Sequence, residues 1–561
     1  MRAAFTLPVA SLLLTAACAG SDQDYGGALT DAGAGGGPEC FSSSECPVGW
    51  TCGDFGTCLP PPGPGPDGGV PPPPPETELE FGPPTASSRF VWVAMTESDA
   101  LARIDGQTLE VTSTPVGERP RVLTTLPGTD TAIVLDGAHG AVTVVRPSAA
   151  GELVETRAIL PRLNALAASP SGLHAVAYFD LSRAIDEAGS LEAVGAVGSF
   201  QDVSVIGLAA GGARTVDLTV GFRPRAVTFD AAGERAYVIT DDGVSVIELE
   251  AALDGGPTIV PPIALTADPW ADGSALDVEI TADGALALAR EPGSPTVRVV
   301  ALTGPSAGDG WDVTLPATPS DVELAPDGGT AYAILRELGA MAVIELPEDA
   351  LDPSGVELVE LTGATLGSLT LTPDGRLGIS YTNATLDERV TVIELEAPGW
   401  PRHTFGLQKA VRAVAVAPDG DRLLVLHARA GDPGQATVEQ FIDRRAGYST
   451  VDLATGFAKL QLTEVDPGPF AFAPDAPRAY LALDGGDAPG ATRELHELAL
   501  DSGVVRVIEL GSPPAAVGTL PGTGQVFVAQ RHPLGRISFV EVPTGLARTV
   551  TGFDLNGQIV D

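Results

Sequence analysis

The sequence predicts an all-β fold, a β-propeller of eight to ten four-stranded blades behind a disordered, Cys-containing N-terminal stalk. Three observations lead there. A strand–turn–strand unit recurs along most of the 561 residues. The 67 glycines and 49 prolines disfavour long helices and favour turn-rich β structure. The hydrophobic residues, 44% of the chain, fall in short strands that are apolar on both faces, as stacked blades require. Charge narrows the partners. With 73 acidic and 32 basic residues the net charge is −41, which repels a phosphate backbone, so no nucleic-acid partner is expected.

Residues 1–17, MRAAFTLPVASLLLTAA, open with Arg2 and run apolar to a small-residue end. That is the pattern of a secretory signal, too short for an ordinary transmembrane helix. Cys18 follows in the string Leu14-Thr15-Ala16-Ala17-Cys18, which resembles the bacterial lipobox with Thr15 in place of the usual Leu. The resemblance implies lipidation at Cys18. Ala19 is not the Asp linked with inner-membrane retention, so it further implies anchoring at the outer membrane, facing the periplasm or the cell surface. The lipid is then the expected membrane attachment.

Residues 18–39 form a Gly/Ala-rich leash. In 40–58, Cys40, Cys46, Cys52 and Cys58 stand with five residues between neighbours. An exported chain and an even count point to two disulfides, with three pairings open. The uniform gaps fit a zinc site poorly. Residues 59–86 are a Pro-rich linker of polyproline II character. Gly63, Gly65 and Gly68 spell G-x-G-x-x-G there, but no strand precedes them and proline blocks a following helix, so no dinucleotide site is read.

The propeller is expected over 87–561. Clear copies of its unit are PRAVTFDAAGERAYVITDDGVSVIELE (224–250), PSDVELAPDGGTAYAILRELGAMAVIELP (319–347) and VRAVAVAPDGDRLLVLHARAG (411–431). In each, a strand meets a Pro/Asp/Gly turn, a second strand rich in Ala, Val, Tyr and Leu, then a loop and a third strand. The turns fall at 127, 170, 231, 282, 326, 373, 418, 474 and 521. Spacing near 40–50 residues with four short strands is the signature of propeller blades. Tyr237, Tyr332 and Tyr480 share one slot of the second strand and read as packing residues. A tenth, partial unit at 90–117 lacks its first strand, which the C-terminal segment 549–561 is expected to supply, closing the ring.

The strings RAYVITDDGVSVIEL (235–249), VGERPRV (116–122) and VGFRPRAV (220–227) resemble the YVTN-type, lactonase-like β-propeller repeat family. The resemblance covers roughly 87–555 and implies the fold, with a usual count of seven blades. It says little about activity, because propellers host binding, scaffolding and catalysis alike.

Catalytic signals are thin. No H-E-x-x-H pair, G-x-S-x-G elbow or Walker loop occurs, and no catalytic residue, metal site or cofactor is assigned. His139, His427 and His532 fall at second-to-third strand connections and read as ordinary loop histidines. Two features stand out. Residues 180–201, 428–447 and 483–494 are long second-to-third strand loops, where recognition usually sits. Arg121, Arg225 and Arg412 lie six residues before their turns, at the start of innermost strands, and Asp277 and Asp321 lie one place later in two other units. These five residues are expected to ring one mouth of the central channel, as a carboxylate or other anion site or as interblade ion pairs. The reading is a monomeric, lipid-anchored envelope propeller that binds a protein, glycan or envelope component without catalysis. The alternative is a lactonase-like hydrolase working from the channel.

Overall fold

The computed structural model describes residues 51–52, 58–59 and 86–552, except 97, 137–139, 149–150, 196–198, 210–211, 269–270, 431–436, 533 and 543. In the N-terminal unit, 17–75, it describes an antiparallel ladder of Thr51–Cys52 against Cys58–Leu59, with Cys52 opposite Cys58. Cys18, Cys40 and Cys46 lie outside the described residues, and so do the signal and the lipid site.

The remaining strands pair only with their sequence neighbours, all antiparallel, in ten sheets. They span 90–115, 120–158, 165–219, 226–248, 277–314, 321–360, 368–406, 411–463, 467–509 and 514–551. Each sheet is one blade, and the first strand of each full blade is its innermost. Eight blades have four strands, and the first and fourth have three. In the fourth, a helix at Leu249–Leu253 and a bridge from Ile263 to Val244 stand where an outer strand would run.

The core is divided between the blades. Alternate residues of one strand point to opposite neighbours. Leu423 and Val425 pack with Ile379 and Val392 of the seventh blade, whereas Leu424 and Leu426 pack with Ala479 and Leu481 of the ninth. Tyr237, Tyr332 and Tyr480 are buried in such interfaces, as packing residues should be. A blade therefore has two apolar faces and no stable existence alone.

The ring closes between its ends. Val91, Ala102 and Ile104 of the first blade pack with Phe527, Ile537 and Phe539 of the tenth. Gly522 N donates to Ser88 O at 2.8 Å, and Arg548 donates to Gln107 O at 3.1 Å. Ala547–Thr551 is the outer strand of the tenth blade, and the rest of the segment expected to supply the first blade's inner strand, 553–561, lies outside the described residues. The inner position of the first blade holds a single bridge, Ala86 to Val91.

A polar clasp recurs where blades meet. Ser204, Ser245 and Thr391 occupy the third position of third strands and are fully buried. Each accepts a hydrogen bond from the preceding connection: Leu160 N at 3.1 Å, Gly221 N at 3.1 Å and Thr365 N at 2.8 Å. Backbone groups that packing would strand are satisfied this way. In the tenth blade Gln530 relays the clasp, accepting from Ser512 N and donating to Ser538.

Candidate binding face

Strand order divides the connections between two faces. First-to-second and third-to-fourth turns lie on one, here the turn face. Second-to-third loops and the connections between blades lie on the other, the loop face, together with the channel mouth where inner strands begin.

Two insertions on the loop face are folded and tied down. In the third blade, Asp180 caps the helix Leu181–Ala188 by accepting from Arg183 N, Gly189 closes it in the left-handed region, and Ser190 caps Leu191–Val194. Asn164 fixes its root, donating to Asp180 O at 2.8 Å and accepting from Asp180 N at 2.7 Å. Phe179, Phe200 and Phe222 continue as an edge-to-face ladder with 6.0 Å between successive rings. In the eighth blade, Thr437 and Gln440 form a capping box on the helix Val438–Arg444. Lys409, fully buried, donates from Nζ to Asp443 O at 2.8 Å in the last turn of that helix, where a cation meets the dipole favourably. Burial pushes the Lys409 ammonium below its usual range, and Asp443 partly restores it. The third long loop is shorter than expected, because its strands run to Asp484 and resume at Arg493.

The five predicted ring residues all start inner strands, yet they do different things. Arg225 donates to Ser274 O at 2.6 Å and Gly273 O at 3.2 Å, backbone leading into the next blade, and faces Asp241 at 3.5 Å. Arg412 donates to Pro467 O of the next blade at 3.0 Å. Asp321 accepts from Leu369 N of the next blade at 2.7 Å. Asp277 pairs with Arg290 of its own blade at 2.7 Å. Glu279, which the sequence reading passed over, accepts from Leu324 N at 3.1 Å, and burial beside Asp277 and Asp321 pushes its carboxyl up to about 8. Inner strands are sheet edges with free backbone groups, and these side chains cap the next edge along. Arg121 is exposed and makes no such tie among the described residues.

The histidines serve the frame. His427 ends its second strand fully buried, which corrects its reading as a loop residue. Its Nδ1 donates to Ala410 O at 3.1 Å and its Nε2 accepts from Ser449 at 2.7 Å, and burial pulls its pKa down to about 4. His496 sits between Tyr448 at 2.9 Å and Glu494 at 3.1 Å, and His174 between Gly233 O at 3.2 Å and Glu250 at 2.9 Å. His139 lies outside the described residues. Among the described residues, no group of three His, Cys, Asp or Glu side chains is placed to hold a metal. An open groove of about 440 Å³ beside residues 385–389 lies on the loop face, and one of about 410 Å³ beside residues 473–478 lies on the turn face, so cavity volume does not separate the faces.

No protein-family model matches the chain, and no curated protein matches it. Solved structures that it resembles include a eukaryotic initiation factor, at 12% identity over 83% of this chain and 97% of that one with TM-score 0.44. Apo AztD from Citrobacter koseri follows at 13% identity, 76% and 96% coverage and TM-score 0.37. The dihydro-heme d1 dehydrogenase NirN shows 13% identity, 63% and 72% coverage and TM-score 0.39. Likeness this distant carries no weight for activity or ligand. The chain is an all-β propeller of ten blades, and that rests on its own strand pairing.

Proposed function

We propose that this propeller is a lipid-anchored component of the bacterial outer membrane that binds a protein, glycan or envelope component through its loop face, without catalysis. The reading includes membrane attachment at Cys18, a stalk crosslinked by Cys40, Cys46, Cys52 and Cys58, a monomeric body and kinship with YVTN-type repeats. One observation carries the binding role. Both long insertions on the loop face are capped, folded and tied to the blades, by Asn164 in one and by buried Lys409 in the other. Neutral insertions have no need of such ties, whereas a recognition surface gains from being ordered before its partner arrives.

The test is a pulldown from native envelope extract with the Cys18→Ser protein, alongside the same protein lacking residues 428–447. Partners held by the first and lost by the second support the reading. Partners held equally by both, or by neither, count against this loop as the recognition element.

A further inference from the structure

The motif G-x-R-P-R occurs twice on the loop face, at Gly117–Arg121 before the second blade and at Gly221–Arg225 before the fourth. The two copies lie in the same register. Val122 pairs with Leu135 and Ala226 with Ile239, and in both blades the inner strand then runs four residues to its turn. Both copies hold the first arginine in the left-handed region, with φ of 52° at Arg119 and 54° at Arg223. An L-residue there costs about 1–2 kcal/mol that glycine would not. The connection between them repeats the feature at Arg162, with φ of 69°.

The copies differ in what the guanidinium groups meet. In the second copy one carboxylate lies between the pair. Asp241 is 6% exposed, with Oδ2 3.0 Å from Arg223 and Oδ1 3.5 Å from Arg225. Burial pushes its carboxyl up, and the two arginines oppose that. In the first copy Arg119 and Arg121 are exposed, and neither side chain has a partner among the described residues. Among the described acids nearby, Asp99 accepts from Arg119 N at 2.8 Å, and Glu118 and Asp136 have partners of their own. Two exposed arginines in one motif with no side-chain partner among the described residues are unexpected in a chain with 73 acidic and 32 basic residues.

We propose that Arg119 and Arg121 form a binding site at the channel mouth for the carboxylate of a small organic acid. The ligand takes the position that Asp241 fills in the other copy of the motif. Guanidinium forks match a carboxylate's two oxygens, and the fixed backbone of Arg119 and the ring of Pro120 limit the freedom lost on binding. The proposal rests on the loop face being the binding face and adds the chemistry of one ligand to it.

Calorimetric titration of the full-length protein with succinate tests it, with inorganic phosphate as the second probe. The expected result is saturable succinate binding that weakens at least tenfold in Arg119→Ala/Arg121→Ala. Both arginines are exposed, so thermal unfolding of the double variant should match the parent and separate lost binding from lost fold. Absence of succinate binding by the parent up to about 20 mM, or binding that the double variant retains, overturns the site. Phosphate binding as tight as succinate overturns its assignment to a carboxylate. No macromolecule enters this titration, so a failed pulldown beside a successful titration strikes only the loop reading.

Discussion

The two faces of the ring are built from the same strands and differ in what their connections are for. On the turn face, side chains are spent on holding blades together. Glu497, 1% exposed, is clamped between Arg478 and Arg506, and Arg506 also donates to Thr544 O of the next blade. Lys459 donates to Gly503 O of its next blade. On the loop face, inner-strand side chains cap their neighbours at the mouth, Arg531 of the tenth blade pairs with Asp484 of the ninth at 2.7 Å, and the long connections rise beyond them. Variation in a propeller is thus tolerated where strands end away from the clamps. The faces should respond differently to substitution, stability failing on one and recognition on the other.

The largest contrast is expected at ion pairs. Glu497→Ala removes the buried carboxylate that both guanidinium groups bond and should cost about 3 kcal/mol. On the loop face, Asp466 pairs with Arg429 at 3.1 Å with both side chains well exposed. Asp466→Asn should change stability by less than about 1 kcal/mol. Denaturant midpoints of the two variants check this, and equal losses would erase the distinction between the faces.

Glycines should repeat the contrast at smaller scale. Gly284, in the tight turn of the fifth blade, has φ of 69°, and a Cβ there would overlap the buried Tyr237 hydroxyl. Gly284→Ala combines left-handed strain with overpacking and should cost about 3 kcal/mol. Gly486, in a loop of the other face, has φ of 89° with open space around it. Gly486→Ala carries the strain alone, about 1 kcal/mol. Thermal unfolding of both variants compares them directly.

The turn face was the legible one in the sequence. Pro-Asp-Gly turns need particular backbone angles, so they leave a residue signature, and all nine turn positions mark real blades. The partial unit at 90–117 proved to be a blade as well. For closure the sequence offers a missing strand, and among the described residues the contact seen is the burial of Phe527 and Phe539 against Ile104. Ring residues such as Arg225 and Asp321 were placed at the inner-strand starts, but not their bonds to the next blade, since nothing local to them names a backbone carbonyl or N–H some fifty residues on. The clasp hydroxyls were missed too. Ser204 and Thr391 are polar residues flanked by valines inside their strands, and a recurring third-strand Ser or Thr is the signal that marks them.

Acid should act through the loop-face end of the eighth blade. His427 is neutral when folded, with its pKa pulled from 6.5 to about 4 by burial. A depressed folded pKa means stability is intact above the unfolded value and is lost as pH falls toward the folded one. The loss reaches about 3 kcal/mol between pH 7 and 4. His427→Gln keeps a donor and an acceptor in the site and should flatten that part of the pH dependence. A variant whose unfolding free energy still falls as steeply as the parent's over this window would show that other groups govern it.

The smallest expected effect concerns what keeps the recognition loop ordered. Lys409 is fully buried, yet it gives its charge to a single carbonyl, Asp443 O, at the end of the Val438–Arg444 helix. Removing that charge also removes its desolvation cost, so Lys409→Met should leave global stability within about 1 kcal/mol of the parent. The helix, however, loses the cation that meets its C-terminal carbonyls. Local opening should become easier by about 1.4 kcal/mol, read as roughly tenfold faster amide exchange across residues 438–444 with no change in the neighbouring blades. Exchange that quickens across the whole eighth blade would make Lys409 a residue of the frame. Exchange confined to the helix identifies a lysine kept in the core to hold a binding loop in shape.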